Sequence, residues 1–327
     1  MPSLIKNIIN ENVLGKTVLV RADLNIPMSN GKVLDQTRVE RVTPTINFLK
    51  SSGAKIVICS HLGRPNGKYD KNYTLEPLTE ILSKIFKTNV LFSNSCIGQE
   101  VLDIKRSLKE SEILLLENVR FHQEETKNSL GFAKELSEGC DIFVNDAFSC
   151  SHRAHSSLHA ITNFLPSYSG IFLDEEIKAL TSVLSLPNKP VGALVGGAKI
   201  STKINIIENL ITKMDHLIIG GAMANTFLVA EGFDVGKSLF EKDAVNIAKS
   251  ILNKSKKLNC EIILPIDVVV SKSFEANGDT NIVSSDMIPI DMMALDVGPK
   301  TIKKISFIFK NIKTLLWNGP LGAFELE

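Results

Sequence analysis

Short, nearly continuous apolar runs alternate along this chain with longer stretches in which apolar residues recur every three or four positions. Runs of the first kind lack the in-out alternation of a strand with one wet face. They read as parallel strands covered on both faces by helices of the second kind. The first half holds TVLVRADL (17–24), AKIVICSH (54–61), NVLF (89–92), EILLLENVR (112–120) and DIFVNDAF (141–148). PVGALVGG (190–197), HLIIGG (216–221), EIILPIDVVV (261–270) and KTLLWNG (313–319) repeat the arrangement in the second half. Reading each run as one strand gives two α/β units. Between them, LDEEIKALTSVLSLPNKP is helical by the spacing of Leu173, Ile177, Leu180 and Leu184 and is closed off by Pro187 and Pro190. A chain of 327 residues exceeds the size at which single cores stop growing. The expected domains are 1–171 and 172–327, the second including the connecting helix, about whose ends the two bodies would move.

Composition narrows the class. Hydrophobic content of 44%, charged content of 22% and a net charge of +1 describe an ordinary soluble protein and argue against a nucleic-acid partner. Cys59, Cys96, Cys140, Cys150 and Cys260 are widely spaced without a CxxC pair, which speaks against a disulfide framework or zinc ribbon and fits a reducing cytoplasm. The polar N-terminus is no signal peptide, and no segment approaches the roughly 18 apolar residues of a membrane span.

Charge placement points to a ligand. All seven arginines lie before residue 154, whereas lysines occur in both halves. A guanidinium is a rigid fork that grips carboxylate or phosphate with two parallel bonds; an ammonium is a flexible point charge. Arg21, Arg38, Arg64, Arg120 and Arg153 sit in polar, strand-end contexts. Ligands of open parallel sheets bind beyond the carboxyl ends of the strands. There Asp23 and Asn25 end the first run, His61 and Arg64 follow the second, Arg120 ends one run and Arg153 follows another. One arginine alone reads as a surface ion pair; five at strand ends predict a rim built for a small, multiply charged anion.

In the second half, VGGAKIST (195–202) joins a strand to a helix through glycines. Its amides can face phosphate oxygens, with Lys199 and Lys203 four apart on one helical face; the competing reading is a tight turn with two solvated lysines. Two decoys resemble a Walker loop: from Gly192 to Gly197 the lysine position holds Ala198, and GFDVGKS has its glycines one residue too close. GGAM (220–223) and WNGPLGAFE (317–325) are further glycine turns, the latter with Asn318 and with Glu325 as a ribose carboxylate; each alone also reads as an ordinary corner. His152, His155 and His159 have a spacing that could align them along one helical side. No acidic ligand lies near them in sequence and Arg153 would repel a cation, so no metal site is expected.

Taken in order, VRADLNIP, SHLGRP, LLENVRF, NDAF with HRAHSS, GGAKISTK, IIGGAM and WNGPLGAFE resemble phosphoglycerate kinase across essentially the whole chain. The resemblance implies two Rossmann-like domains with parallel sheets facing a cleft, and a cytoplasmic, monomeric kinase. By it, 3-phosphoglycerate or 1,3-bisphosphoglycerate would be bound by Asp23, Asn25, Arg38, His61, Arg64, Arg120 and Arg153. Gly197, Lys203, Gly221, Asn318 and Glu325 would attend ATP or ADP with its Mg2+, and Arg38 and Lys199 the phosphoryl group in transfer. Thr202 replaces an acidic residue of some members and is not read as functional. The family continues beyond the motif containing Glu325, through a glycine-rich turn whose aspartate holds Mg2+ through the nucleotide. The second domain is therefore expected to be incomplete at its C-terminus, with an exposed sheet edge and an apolar helix face. Two readings follow: the glycolytic kinase, or a catalytically impaired phosphoglycerate-binding remnant of it. A nicotinamide-dependent dehydrogenase is set aside, since no GxGxxG turn follows any strand.

Overall fold

The computed structural model describes residues 5–29, 32–33, 35–185, 187–275, 278–324 and 326. The chain divides into two compact units, Met1–Ala179 and Leu180–Glu327, the division falling inside the helix Ile171–Ser185.

In the first unit, six parallel strands form one sheet: β1 (Thr17–Ala22), β2 (Lys55–Cys59), β3 (Val90–Ser93), β4 (Ile113–Leu116), β5 (Ile142–Asp146) and β6 (Ser167–Ser169). Their spatial order is β3-β4-β2-β1-β5-β6, every pairing parallel. The apolar runs are continuous because alternate residues enter two different cores. Val18, Val20, Ile56, Ile58, Ile113, Leu115 and Val144 pack on one face; Leu19, Val57, Leu114, Leu116 and Phe143 pack on the other. Arg21 shares the second face, between Cys59 and Asn145 in register. An arginine there is costly unless every donor is matched.

The run 112–120 does not continue as a strand. It stops at Leu116; Glu117 and Asn118 turn the chain and Val119–Phe121 form a 3-10 turn. The cause is local satisfaction of polar groups: Asn118 Oδ1 accepts the Arg120 amide at 3.0 Å and its Nδ2 donates to the carbonyls of Leu62 and Tyr73. Glu117, buried, accepts from Thr74 Oγ1 at 2.6 Å and from the Leu75 amide at 2.9 Å.

The second unit holds a four-stranded parallel sheet of β7 (Val191–Val195), β8 (His216–Ile219), β9 (Glu261–Ile263) and β13 (Thr314–Asn318), ordered β9-β8-β7-β13. The run 261–270 does not form one strand either. Pro265 cannot donate to a ladder, and the chain passes from β9 into β10 (Asp267–Ser271) of a separate sheet. There β10 pairs antiparallel with β11 (Thr280–Ser284) and β12 (Met293–Val297), two strands without a continuous apolar run to announce them.

The connecting segment is a helix, Ile171–Ser185, as its spacing predicts. At the outer strand β13, Leu315 and Trp317 are exposed, with Trp317 at 58%, and the helix Pro299–Asn311 exposes Ile302 and Phe307. Among the described residues, no helix is long and apolar enough to cross a membrane.

Candidate active site

The substrate-side residues gather at the carboxyl rim of the six-stranded sheet. Arg64, Arg120 and Arg153, from loops after β2, β4 and β5, line one cavity of about 550 Å3 with His155, Gln123, Lys127 and Gly67. Arg64 makes no hydrogen bond or ion pair among the described residues. Arg120 donates from Nη1 to the Gly63 carbonyl at 2.6 Å and Arg153 from Nε to His152 at 3.2 Å, so most of their donor capacity faces the cavity unused. Burial and the neighbouring Arg153 press the Arg120 pKa downward. An uncompensated cationic field of this kind calls for an anion.

Gly63 connects the loops. Its amide donates to Asn25 Oδ1 at 2.8 Å and its carbonyl receives Arg120. With φ at +60° and the Tyr73 ring 2.2 Å from where a Cβ would stand, the position admits only glycine. Asn25 thereby braces the site rather than merely facing it.

Arg38 opens the helix Thr37–Ser51 and lines a smaller cavity of about 220 Å3 with Asp23, Arg41, Asp146, Ser149, Phe172 and Glu176. Asp23 accepts short hydrogen bonds from Arg38 and Ser149 on the same oxygen, and the Asn25 amide at 3.1 Å on the other. Burial pushes the Asp23 carboxyl up, but these bonds and the Arg38 charge outweigh it and hold the group below its usual range. Atoms of Asp23, His61 and Cys150 come within 4.8 Å of one another, tying this cavity to the residues flanked by Arg120 and Arg153.

Arg21 is the exception among the five strand-end arginines. It lines neither cavity; it is buried inside β1, where it holds His61 and Ser157. Still inside the pleated strand, its side chain lies on the same sheet face as Leu19 and Cys59 and is buried there instead of lining a cavity. The three histidines do not share a helical side: residues 151–159 are turns, and His152, His155 and His159 pair separately with Arg153, Glu125 and Asn128.

In the second unit, Lys199 and Lys203 do not share a helical face. The helix is short, Ile204–Leu210, with Lys203 as its N-cap, and residues 201–203 form a turn. Ser201 is pinned to Glu241, through its amide at 2.9 Å and its hydroxyl at 2.5 Å, which keeps this stretch out of the helix. Lys203 Nζ bridges the Gly196 carbonyl (2.8 Å) and Asn318 Oδ1 (2.6 Å), and burial lowers its pKa. Lys199 makes no hydrogen bond through its ammonium group among the described residues.

Glycines hold these turns together. Gly221 has φ at +68°, and a Cβ there would fall 2.7 Å from the Gly197 carbonyl oxygen, while the Met223 amide donates to that oxygen at 2.9 Å. Beside them, Gly197, Gly221, Leu239, Phe274, Leu295 and Phe324 help line an apolar cavity of about 340 Å3, a size and character suited to a nucleobase. Glu325 lies outside the described residues.

Sequence reasoning placed Arg21 at the rim rather than behind His61, and it passed over several contributors: Ser157 and Glu125 behind His61, Ser149 on Asp23, Asp146 at the end of β5, and Glu241 clamping the lysine loop. A signal existed for Glu117 and Asn118, since a carboxylate and an amide follow directly on the apolar run ILLL. Nothing in spacing marks the others, whose partners lie up to 136 residues away.

Comparison with known proteins agrees with this geometry. The phosphoglycerate kinase family model matches residues 7–327. The phosphoglycerate kinase of Bradyrhizobium diazoefficiens is 49% identical over 316 residues, covering 97% of this chain and 79% of the relative. That of Rhodopseudomonas palustris is 50% identical over 315 residues, with coverage of 96% and 79%. Among solved structures, phosphoglycerate kinase from Coxiella burnetii superposes with a TM-score of 0.84 at 37% identity, covering 99% of this chain and 82% of that one. The enzyme from Pyrococcus horikoshii gives 0.86 at 31%, with the same coverage. With its motifs, both parallel sheets and the convergent arginines in agreement, the chain belongs to the phosphoglycerate kinase family.

Proposed function

We propose that this protein transfers a phosphoryl group reversibly between 1,3-bisphosphoglycerate and ADP, yielding 3-phosphoglycerate and ATP. We assign the phosphoglycerate half to residues 1–171 and the nucleotide half to 172–327. The observation that carries the reading is the cavity lined by Arg64, Arg120 and Arg153, with Asp23, Asn25, His61 and Arg38 alongside. Three forks with spare donors suit a phosphate and a carboxylate on one small molecule.

No catalytic base is needed. Toward ATP the nucleophile is the substrate carboxylate, and toward the acyl phosphate it is the terminal phosphate of ADP; both are ionised near neutral pH. What remains is to align two anions and neutralise charge on the group in flight. Arg38 and Lys199 take that role. Lys203, held by Asn318 and the Gly196 carbonyl, neutralises nucleotide phosphates over the glycine turns of Gly197 and Gly221, and Mg2+ arrives as part of the nucleotide substrate. In-line transfer brings both bound substrates into one reaction space, and we assign the joint for that motion to the helix Ile171–Ser185. The free thiols suit a cytoplasmic setting, and we assign the active species as a monomer.

The decisive experiment follows ATP formation from 1,3-bisphosphoglycerate and MgADP by the purified chain. Turnover that disappears when Mg2+ is chelated is expected. A rate equal to the protein-free blank, with 3-phosphoglycerate binding intact by calorimetry, would replace this reading with that of an impaired binding remnant.

A further inference from the structure

His61 follows β2, and its ring is buried, 3% exposed. Its Nδ1 lies 3.1 Å from Nη2 of Arg21, which is itself 1% exposed. Each hydrogen-bonding edge of that guanidinium is engaged: Nε donates to Ser157 Oγ at 2.9 Å, Nη1 to the Ala22 carbonyl at 2.5 Å, and Nη2 to His61. Ser157 then donates from Oγ to Glu125 Oε1 at 2.7 Å and from its amide to Oε2 at 2.9 Å. Glu125 is wholly buried and supplies the negative end. A guanidinium has five donors, no acceptor, and does not deprotonate in proteins. Nδ1 must therefore be the accepting nitrogen, and the single ring proton resides on Nε2.

We propose that Arg21 is a positioning residue which, through the chain Glu125–Ser157–Arg21–His61, fixes His61 as its neutral Nε2–H tautomer and so presents an uncharged donor to a phosphoglycerate oxygen. The second half of that statement rests on the assignment of His61 to the substrate site; the tautomer does not. The groups that face His61 agree. Arg21 comes from β1, Asp23 from the loop after it, Arg120 from the 3-10 turn, and Cys150 and Arg153 from the segment after β5. Burial first, then Arg21 and Arg120, drive the imidazole down to about 2 against the single opposing charge of Asp23. A fourth cation beside Arg21, Arg120 and Arg153 would share the one Asp23 carboxylate that already pairs with Arg38, whereas a neutral donor adds direction without charge. Substrate affinity then does not vary with protonation of His61 near neutral pH.

Long-range 1H–15N spectra of the uniformly labelled full chain read the tautomer directly. Six histidines give six ring patterns, and His61 is the one lost in His61→Gln. Expected are a protonated Nε2, a bare Nδ1 and no titration between pH 5.5 and 8. An Nδ1–H tautomer, or a titration in that window, overturns the proposal. In Arg21→Met, His61 should regain titration near its ordinary range, and KM for 3-phosphoglycerate should rise about tenfold with kcat nearly unchanged, the effect of one lost bond to a charged group. Unaltered His61 signals in that variant would also overturn it. Should Arg21→Met fail to fold, the wild-type spectra still decide, as does the pair His61→Gln and His61→Asn. Glutamine carries its amide nitrogen to the Nε2 position and asparagine to that of Nδ1, so glutamine should retain roughly fivefold the affinity of asparagine; equal losses contradict the assignment. Absence of any 3-phosphoglycerate binding in the wild type would sink the functional reading while leaving the spectroscopic result on Arg21 intact.

Discussion

Arg38 and Asp23 form an ion pair at the mouth of the smaller cavity, and the pair explains why charge alone does not suffice there. Arg38 engages Asp23 with Nη1 only, which leaves the rest of its fork for the phosphoryl oxygen that the proposed function assigns to it. Arg38→Lys keeps the charge but cannot serve both partners at fixed angles. We expect kcat to fall on the order of 100-fold, with KM for 3-phosphoglycerate changing much less, as for the loss of a contact strongest in the transition state. Steady-state rates in both directions test this, and a rate within threefold of wild type would refute the geometric argument. At this scale the sequence was informative where residues line the larger cavity. Arg64, Arg120 and Arg153 were legible as strand-end forks because rim position follows from strand register. Arg21 was misread as one of them, since only the sheet pleat decides whether a strand's last polar residue faces the rim or the core.

Asp146, the last residue of β5, joins strand to helix. Its Oδ1 accepts the Leu173 amide in the first turn of the connecting helix at 2.9 Å, while its buried Oδ2 makes no hydrogen bond among the described residues. Burial raises the carboxyl from 3.8 to about 6. The folded state thus prefers the protonated form, so this group's stabilising contribution is complete below pH 3.8 and is lost as pH rises through 6. The loss amounts to about 3 kcal/mol. Asp146→Asn retains the acceptor for Leu173 without the charge. It should remove that part of the pH dependence of thermal unfolding and be the more stable protein at pH 7.5; parallel wild-type and variant curves from pH 4 to 8 would exclude the assignment. A second junction is tighter still. Gly221→Ala would drive a methyl onto the Gly197 carbonyl at a positive φ. Relative to wild type, ADP affinity should drop by at least tenfold and stability by about 2 kcal/mol, on the scale of strained backbone sites, with 3-phosphoglycerate binding untouched in the same calorimetric series. Element-level reading of the sequence succeeded for strands buried on both faces. It failed at β10, β11 and β12, because a proline inside an apolar run and half-wet antiparallel strands carry no continuous signal. It failed again at Lys199, where a distant carboxylate, Glu241, overrides the helical spacing.

The chain forms two compact units, and under the proposed function each would bind one anion as a half-site with its own chemistry. Arginine forks line the cavity of the first unit, as a compact polyanion would require; glycine turns line an apolar slot in the second, as a nucleotide would require. The gathering of Arg64, Arg120 and Arg153 and the glycine turns were legible from residue placement, whereas the buried chain behind His61 and the carboxyl of Asp146 were not, since their partners are brought together only by the sheet. Separate units predict separable energetics. Arg153→Lys should weaken 3-phosphoglycerate binding about tenfold, the difference between a two-point and a one-point grip, and leave ADP affinity unchanged. Lys203→Met removes a partly buried charge that holds Asn318 and should do the reverse. In the double variant the two losses should add to within about 0.5 kcal/mol, as they do for sites without shared partners. Calorimetry of each ligand alone on the four proteins closes the cycle. A substantial effect of Arg153→Lys on ADP binding would mean that the half-sites are already coupled before both substrates are present, and the assignment of charge compensation to each unit by itself would fail.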